Sequence, residues 1–176
     1  PLMVVLSFVY VCNARCPNCP YNNSEIRSTY KDAMVMPGEI ELLAEGTGQP
    51  GDQFSEPYPE SLATGGGGSL TFERCLSRSP AGCIFFSEST CSAYPYRPWI
   101  CRTYPFMLDG DELVTFPCEG LGREITRKAA RDLALLLIRR KEAEREEEEA
   151  VARVLASARI PEGCRLVVDG RGIRVI

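Results

Sequence analysis

Apolar positions along this chain follow three rhythms. Residues 2–11 (LMVVLSFVYV) are almost wholly apolar and rich in β-branched and aromatic side chains, the pattern of a buried strand. Such a run is too short to cross a bilayer, which needs about 20 residues. A trimmed signal peptide is the other reading, and a strand leading into Cys12 is the simpler one. From about Arg123 to Arg159 the rhythm becomes helical. Ile125, Ala129, Leu133, Leu136 and Leu137 recur at helical spacings, Glu142–Glu149 load the second half with charge, and Pro161 and Gly163 stop it. The glutamate run reads as a solvated face, with Arg139, Arg140 and Lys141 placed to pair with acids three or four residues on. The last segment, RLVV-DGRG-IRVI, is two short apolar runs around Asp169-Gly170, a hairpin pattern. A shorter helix is expected in PGEIELLAEGTG, with Pro37 in its first turn and Gly46 near its end.

Elsewhere the pattern fades. Residues 46–69 are polar, with three prolines and the run Gly65–Gly68, and read as a flexible loop or linker. Residues 70–122 show weak periodicity but hold Cys75, Cys83, Cys91, Cys101 and Cys118 between prolines and aromatics. A segment this irregular needs something besides packing to hold it, and a metal would supply that. The expected fold is therefore α+β: a small, irregular, cysteine-rich metal-binding domain with a long C-terminal helix and a terminal β-hairpin. The expected divisions are residues 1–121 for the cysteine domain, 122–160 for the charged helix and 161–176 for the hairpin.

Composition narrows the classes. With 176 residues and 44% hydrophobic content the chain can bury one modest core. A net charge of −4 gives no general attraction to nucleic acid or to an anionic membrane, so neither is an expected partner. The nine cysteines, Cys12, Cys16, Cys19, Cys75, Cys83, Cys91, Cys101, Cys118 and Cys164, stand in a chain without histidine. An odd number leaves one thiol outside any complete disulfide set, and the chain is larger than the small secreted scaffolds that depend on disulfides. Three cysteines within eight residues pair poorly with one another but converge easily on an ion or cluster. A reduced, cytoplasmic setting is expected. With no histidine, acid–base work would fall to carboxylates, lysine or tyrosine, and none stands in a recognisable arrangement. Whether the protein is an enzyme is left open.

Thiolates select Zn²⁺, Cu(I) or iron–sulfur clusters. Cys12-x3-Cys16-x2-Cys19, in the text CNARCPNC, has the spacing of radical S-adenosylmethionine enzymes and resembles them locally. That resemblance implies a [4Fe–4S] cluster on the three cysteines, with S-adenosylmethionine at the open iron. Gly65–Gly68 is similar to the family's glycine motif, but Ser69 stands where an acid is normal. The residues beyond Gly68 are too few, and do not alternate strand and helix as a complete barrel would. The chain would be a truncated version of such an enzyme.

A second stretch reads CIFFSESTCSAYPYRPWICRTYPF. Through Cys83, Phe85, Cys91, Tyr94, Arg97, Pro98, Cys101, Arg102, Tyr104, Pro105 and Phe106 it resembles the YkgJ-like (CxxCxxCC) family of zinc- or iron-chelating proteins. The likeness covers roughly residues 12 to 121. It departs from the family where Cys19 is followed by Pro20 instead of a second cysteine. The resemblance implies a cysteine-cluster metalloprotein with Cys12, Cys16, Cys19, Cys83, Cys91 and Cys101 as leading ligands, and Cys75 and Cys118 as second-rank ones. Arg97 and Arg102 are the residues expected to offset thiolate charge at the bound group. Cys164 reads as a thiol outside the site. Knuckle pairs of the kind zinc favours are few here, so an iron–sulfur cluster is expected ahead of zinc. A redox role with a protein or redox partner is one expectation. A structural zinc module for protein–protein interaction is its rival.

Overall fold

The computed structural model describes residues 33–79, 82–88, 90–116, 118, 121–122 and 124–176. The expected strand at 2–11 and the triplet Cys12, Cys16 and Cys19 lie outside the described residues. The architecture is α+β, with the long C-terminal helix and terminal hairpin that the sequence pattern implies. The chain divides into two compact units. The described part of one runs over residues 78–142; the other comprises 33–77 and 143–176.

In the second unit, β1 (Met34–Val35) leads into α1 (Pro37–Thr47) and the single-turn α2 (Gly51–Phe54). Helix α1 starts where the sequence says. Pro37 occupies the first turn, and the Glu39 carboxylate reaches back to accept the Met36 N–H at 2.9 Å. It ends later than Gly46, because Gly48 takes the left-handed conformation at φ +71° and donates its N–H to Ala44. Next come β2 (Ser55–Pro57), β3 (Leu62–Ala63), β4 (Ser69–Thr71) and β5 (Arg74–Leu76). Strand β5 is central in an antiparallel sheet of order β1-β5-β2.

The flexible-loop reading of 46–69 is corrected here. Gly65–Gly67 form a short 3-10 turn with Gly66 and Gly67 at φ +69° and +82°, which glycine adopts without strain. Gly163 donates to the Gly65 carbonyl at 3.2 Å and Ser69 to the Cys164 carbonyl at 2.9 Å. A Cβ on Gly68 would stand 2.6 Å from the Cys164 carbonyl oxygen and 2.9 Å from its nitrogen. Left-handed backbone at Gly66 and Gly67 and small size at Gly68, not flexibility, are what these glycines supply.

The first unit contains β6 (Arg78–Ser79), β7 (Gly82–Cys83), β8 (Phe86–Ser87) and β9 (Thr90–Cys91), paired β6–β7 and β8–β9 as minimal hairpins. A 3-10 turn at Tyr94–Tyr96 and helix α3 (Trp99–Thr103) follow, then the hairpin β10 (Phe106–Asp109) and β11 (Glu112–Thr115). Helix α4 (Arg127–Ser157) begins at Thr126, whose hydroxyl accepts the Ala129 N–H at 3.1 Å. Its first half buries Ala130, Leu133, Ala134 and Leu137 against Phe106, a stripe at i, i+3, i+4 and i+7. Arg140 prolongs that stripe inward and donates to the buried Thr103 hydroxyl at 2.9 Å. Arg140 is thus a buried side chain within the helix's inward stripe, and Lys141 pairs with Asp111.

The second half of α4 belongs to the second unit. Val151, Val154 and Leu155 pack on Leu70, Leu166 and Val168. Strands β12 (Arg165–Asp169) and β13 (Gly172–Val175) form the terminal hairpin and join a sheet of order β13-β12-β4-β3, with β12 parallel to β4. Leu166, Val167 and Val168 are buried in succession, so β12 is covered on both faces.

Candidate metal centre

The site grows from a string of turns between Arg78 and Thr103. The first hairpin places Arg78 directly opposite Cys83, and the second places Phe86 opposite Cys91. The Phe85 peptide connects the two. Its N–H hydrogen-bonds the Cys83 sulfur, while its carbonyl accepts the Ser92 N–H at 2.8 Å and the Ser92 hydroxyl at 3.2 Å. One residue beyond Ser92, the Ala93 N–H is given to the Cys91 sulfur, and the Ala93 carbonyl accepts the Tyr96 N–H at 2.9 Å. Each sulfur thus receives the backbone N–H of the residue two positions further on. Phe85 and Ala93 are both buried, so each N–H is shielded from competing water.

The electrostatics are finely opposed. Burial pushes the Cys83 thiol up from its ordinary value; the Phe85 N–H pulls it down, the neighbouring Cys91 pushes it up again, and Arg78 pulls it down. Burial likewise raises Cys91, against the Ala93 N–H and the charge of Arg97. Desolvation wins at both, so the pair rests as neutral thiols. A bound cation reverses that outcome, since a coordinating thiol is deprotonated outright. Thiolate donors of this kind fit a thiophilic ion or an iron–sulfur cluster.

Arg97 is held in place on two sides. Its Nε donates to the Tyr94 carbonyl at 3.0 Å and its guanidinium lies 3.5 Å from the Tyr94 ring centre. Arg102 donates Nε to the Arg97 carbonyl and lies 5.6 Å from the Trp99 ring centre. Arg78 escaped the sequence reading. A signal was present, because the sequence Ser79-Pro80-Ala81-Gly82 is turn chemistry just after Arg78 and before Cys83.

The other cysteines are placed as follows. Cys101 is half-buried on α3 and Cys118 is half-buried beyond β11. Cys75, on β5 in the other unit, is fully buried and directs its S–H toward the Glu56 and Pro57 carbonyls at 3.7 and 4.0 Å. Cys164 packs beside Leu70, Leu166 and Val168. Among the described residues no three Cys, Asp or Glu side chains converge as a group able to hold a metal ion. Of the predicted ligands, Cys83 and Cys91 lie near enough for the charge of Cys91 to raise the Cys83 thiol. No described helix is long and apolar enough to cross a membrane. Compared with known proteins, the chain matches no family model, no curated protein and no solved structure.

Proposed function

We propose that this is a cysteine-cluster metal-binding protein in which Cys83 and Cys91 supply two thiolates. The triplet Cys12, Cys16 and Cys19 is the source of the remaining ligands that the sequence spacing favours. The observation carrying this reading is the paired N–H to sulfur arrangement: two neighbouring cysteines, each given a buried backbone donor and a nearby arginine. Hydrogen bonds to sulfur stabilise the charged form and tune the metal centre they surround. An iron–sulfur cluster leads and zinc is its rival, because both take cysteine ligands. A bound cluster would supply electron transfer, and a bound zinc would supply structural cross-linking. A reduced cytoplasmic setting and a redox or other protein partner suit the first. Because the pair lies outside the triplet, it favours a multi-cysteine centre over a truncated radical S-adenosylmethionine enzyme that needs Cys12, Cys16 and Cys19 alone.

The test is metal and sulfide analysis, with a visible spectrum, on protein purified without oxygen. Iron with acid-labile sulfide and a brown colour bleached by dithionite is the expected result. Stoichiometric zinc in a colourless protein would replace cluster by zinc. Protein that neither retains nor takes up metal would overturn the proposal.

A further inference from the structure

The first half of α4 carries two stripes. One is the buried stripe at Ala130, Leu133, Ala134 and Leu137. The other, on a different face, is Arg131, Leu135, Ile138 and Glu142, at i, i+4, i+7 and i+11. At 3.6 residues per turn these four fall within roughly 60° of arc, the spacing of a coiled-coil seam. All four are exposed, Leu135 at 48% and Ile138 at 43%. Lys128 and Lys141 nearby are held by Asp132 and Asp111. Arg131 and Glu142 are in no ion pair among the described residues. We infer that this face docks on the same face of a second copy of the chain, with the two helices antiparallel.

Charge complementarity decides both the occupant and its direction. The stripe is basic at one end, apolar in the middle and acidic at the other, and Arg131 is as far from Leu135 as Glu142 is from Ile138. An antiparallel copy therefore sets Leu135 against the partner's Ile138 and Arg131 against the partner's Glu142. Two-fold symmetry makes each of these contacts twice. A parallel copy would set arginine on arginine and glutamate on glutamate, which like charges oppose. An unrelated apolar peptide would cover the middle of the stripe but has no reason to match both ends. Two apolar side chains per copy make a short seam, so the dimer belongs with the small, reversible interfaces. The seam contains no cysteine, and the inference does not rest on the metal-binding reading.

The test is sedimentation equilibrium of the full-length protein, kept reduced and purified without oxygen, from about 1 µM to about 1 mM. The wild type should pass reversibly from monomer to dimer within that range. Arg131→Glu should weaken dimerisation about tenfold or more, because symmetry repeats the like-charge contact, and Glu142→Arg should do the same. Both substitutions in one chain put opposite charges across the seam again and should recover most of the affinity. Leu135→Ser with Ile138→Ser should leave a monomer whose helical circular dichroism matches the wild type, because both positions are exposed. A wild type that stays monomeric at every concentration would overturn the inference and assign the stripe to a different partner. A dimer indifferent to Arg131→Glu and to Glu142→Arg would overturn it by placing the interface elsewhere. A charge-swapped double variant as weak as the single ones would overturn the antiparallel pairing.

Discussion

The ladder around Cys75 and the two small hairpins carrying Cys83 and Cys91 treat the same side chain in opposite ways. Cys75 sits in the middle strand of a regular antiparallel sheet, where the neighbouring strand turns carbonyls toward it. Its S–H points at those carbonyls, so Cys75 packs as a small, nearly apolar residue with a weak donor. Cys83 and Cys91 sit where two-residue strands break into turns, and a turn aims N–H groups back at the preceding side chain. Those donors offset part of the burial that raises both thiols. Regular pairing thus makes a structural cysteine and interrupted pairing makes a candidate ligand, although only eight residues separate Cys75 from Cys83 in the chain.

The largest effects should fall on the pair. Cys83→Ser or Cys91→Ser should lower metal affinity by more than about a hundredfold, beyond the range for outer partners of ligands. Cys75→Ser should leave affinity alone and cost about 1 kcal/mol of stability, as a polar group replaces a buried thiol whose carbonyl partners it can still engage. Competition with a chelator and urea unfolding measure the two. Equal loss of metal from the Cys75 and Cys83 variants would erase the distinction. The second unit supplies the next effect. Gly68→Ala should destabilise by about 3 kcal/mol, because its Cβ would collide with the rigid Cys164 backbone, yet should leave metal affinity unchanged. In the first unit, Thr103→Val should cost about 2 kcal/mol with or without metal, by removing the hydroxyl that accepts from buried Arg140.

Much of this was legible in the sequence, and what was not has a physical reason. Pro37 and Glu39 announce α1 because capping is local, and the spacing of Leu133 and Leu137 announces the buried face of α4 for the same reason. Gly65–Gly68 were misread because what they pack on, Glu162–Cys164, lies about a hundred residues away and glycine carries no pattern of its own. The charge of Arg140 points to pairing with acids further along the helix, and only the helical stripe shows that it also reaches the buried Thr103 hydroxyl. At the site, the motif gave Cys83, Cys91 and Arg97 by residue type. Arg78 came only from strand register, which places it opposite Cys83 and which no motif announces.

The smallest expected effect is on pH dependence. Cys83 and Cys91 have raised values when the protein is folded and free of metal, burial being the main cause. Between the ordinary thiol value, about 8.5, and the raised ones, the unfolded chain holds fewer protons than the folded one. The stability this lends is complete below that window and falls as pH rises through it. Metal-free wild-type protein should therefore lose stability on going alkaline, and Cys83→Ala with Cys91→Ala together should flatten the slope. An unchanged slope in the double variant would show that the pair does not carry it.

The central claim is that Cys83 and Cys91 are ligands of one centre, and X-ray absorption at the edge of the bound metal addresses it most directly. Metal-loaded wild-type protein is compared with the Cys83→Ser, Cys91→Ser double variant, loaded at concentrations high enough to overcome its weaker binding. The account predicts that two sulfur scatterers, near 2.3 Å if the metal is zinc, disappear from the first coordination sphere of the variant. A sulfur count identical in the two proteins would contradict it, and would move the centre away from the hairpins.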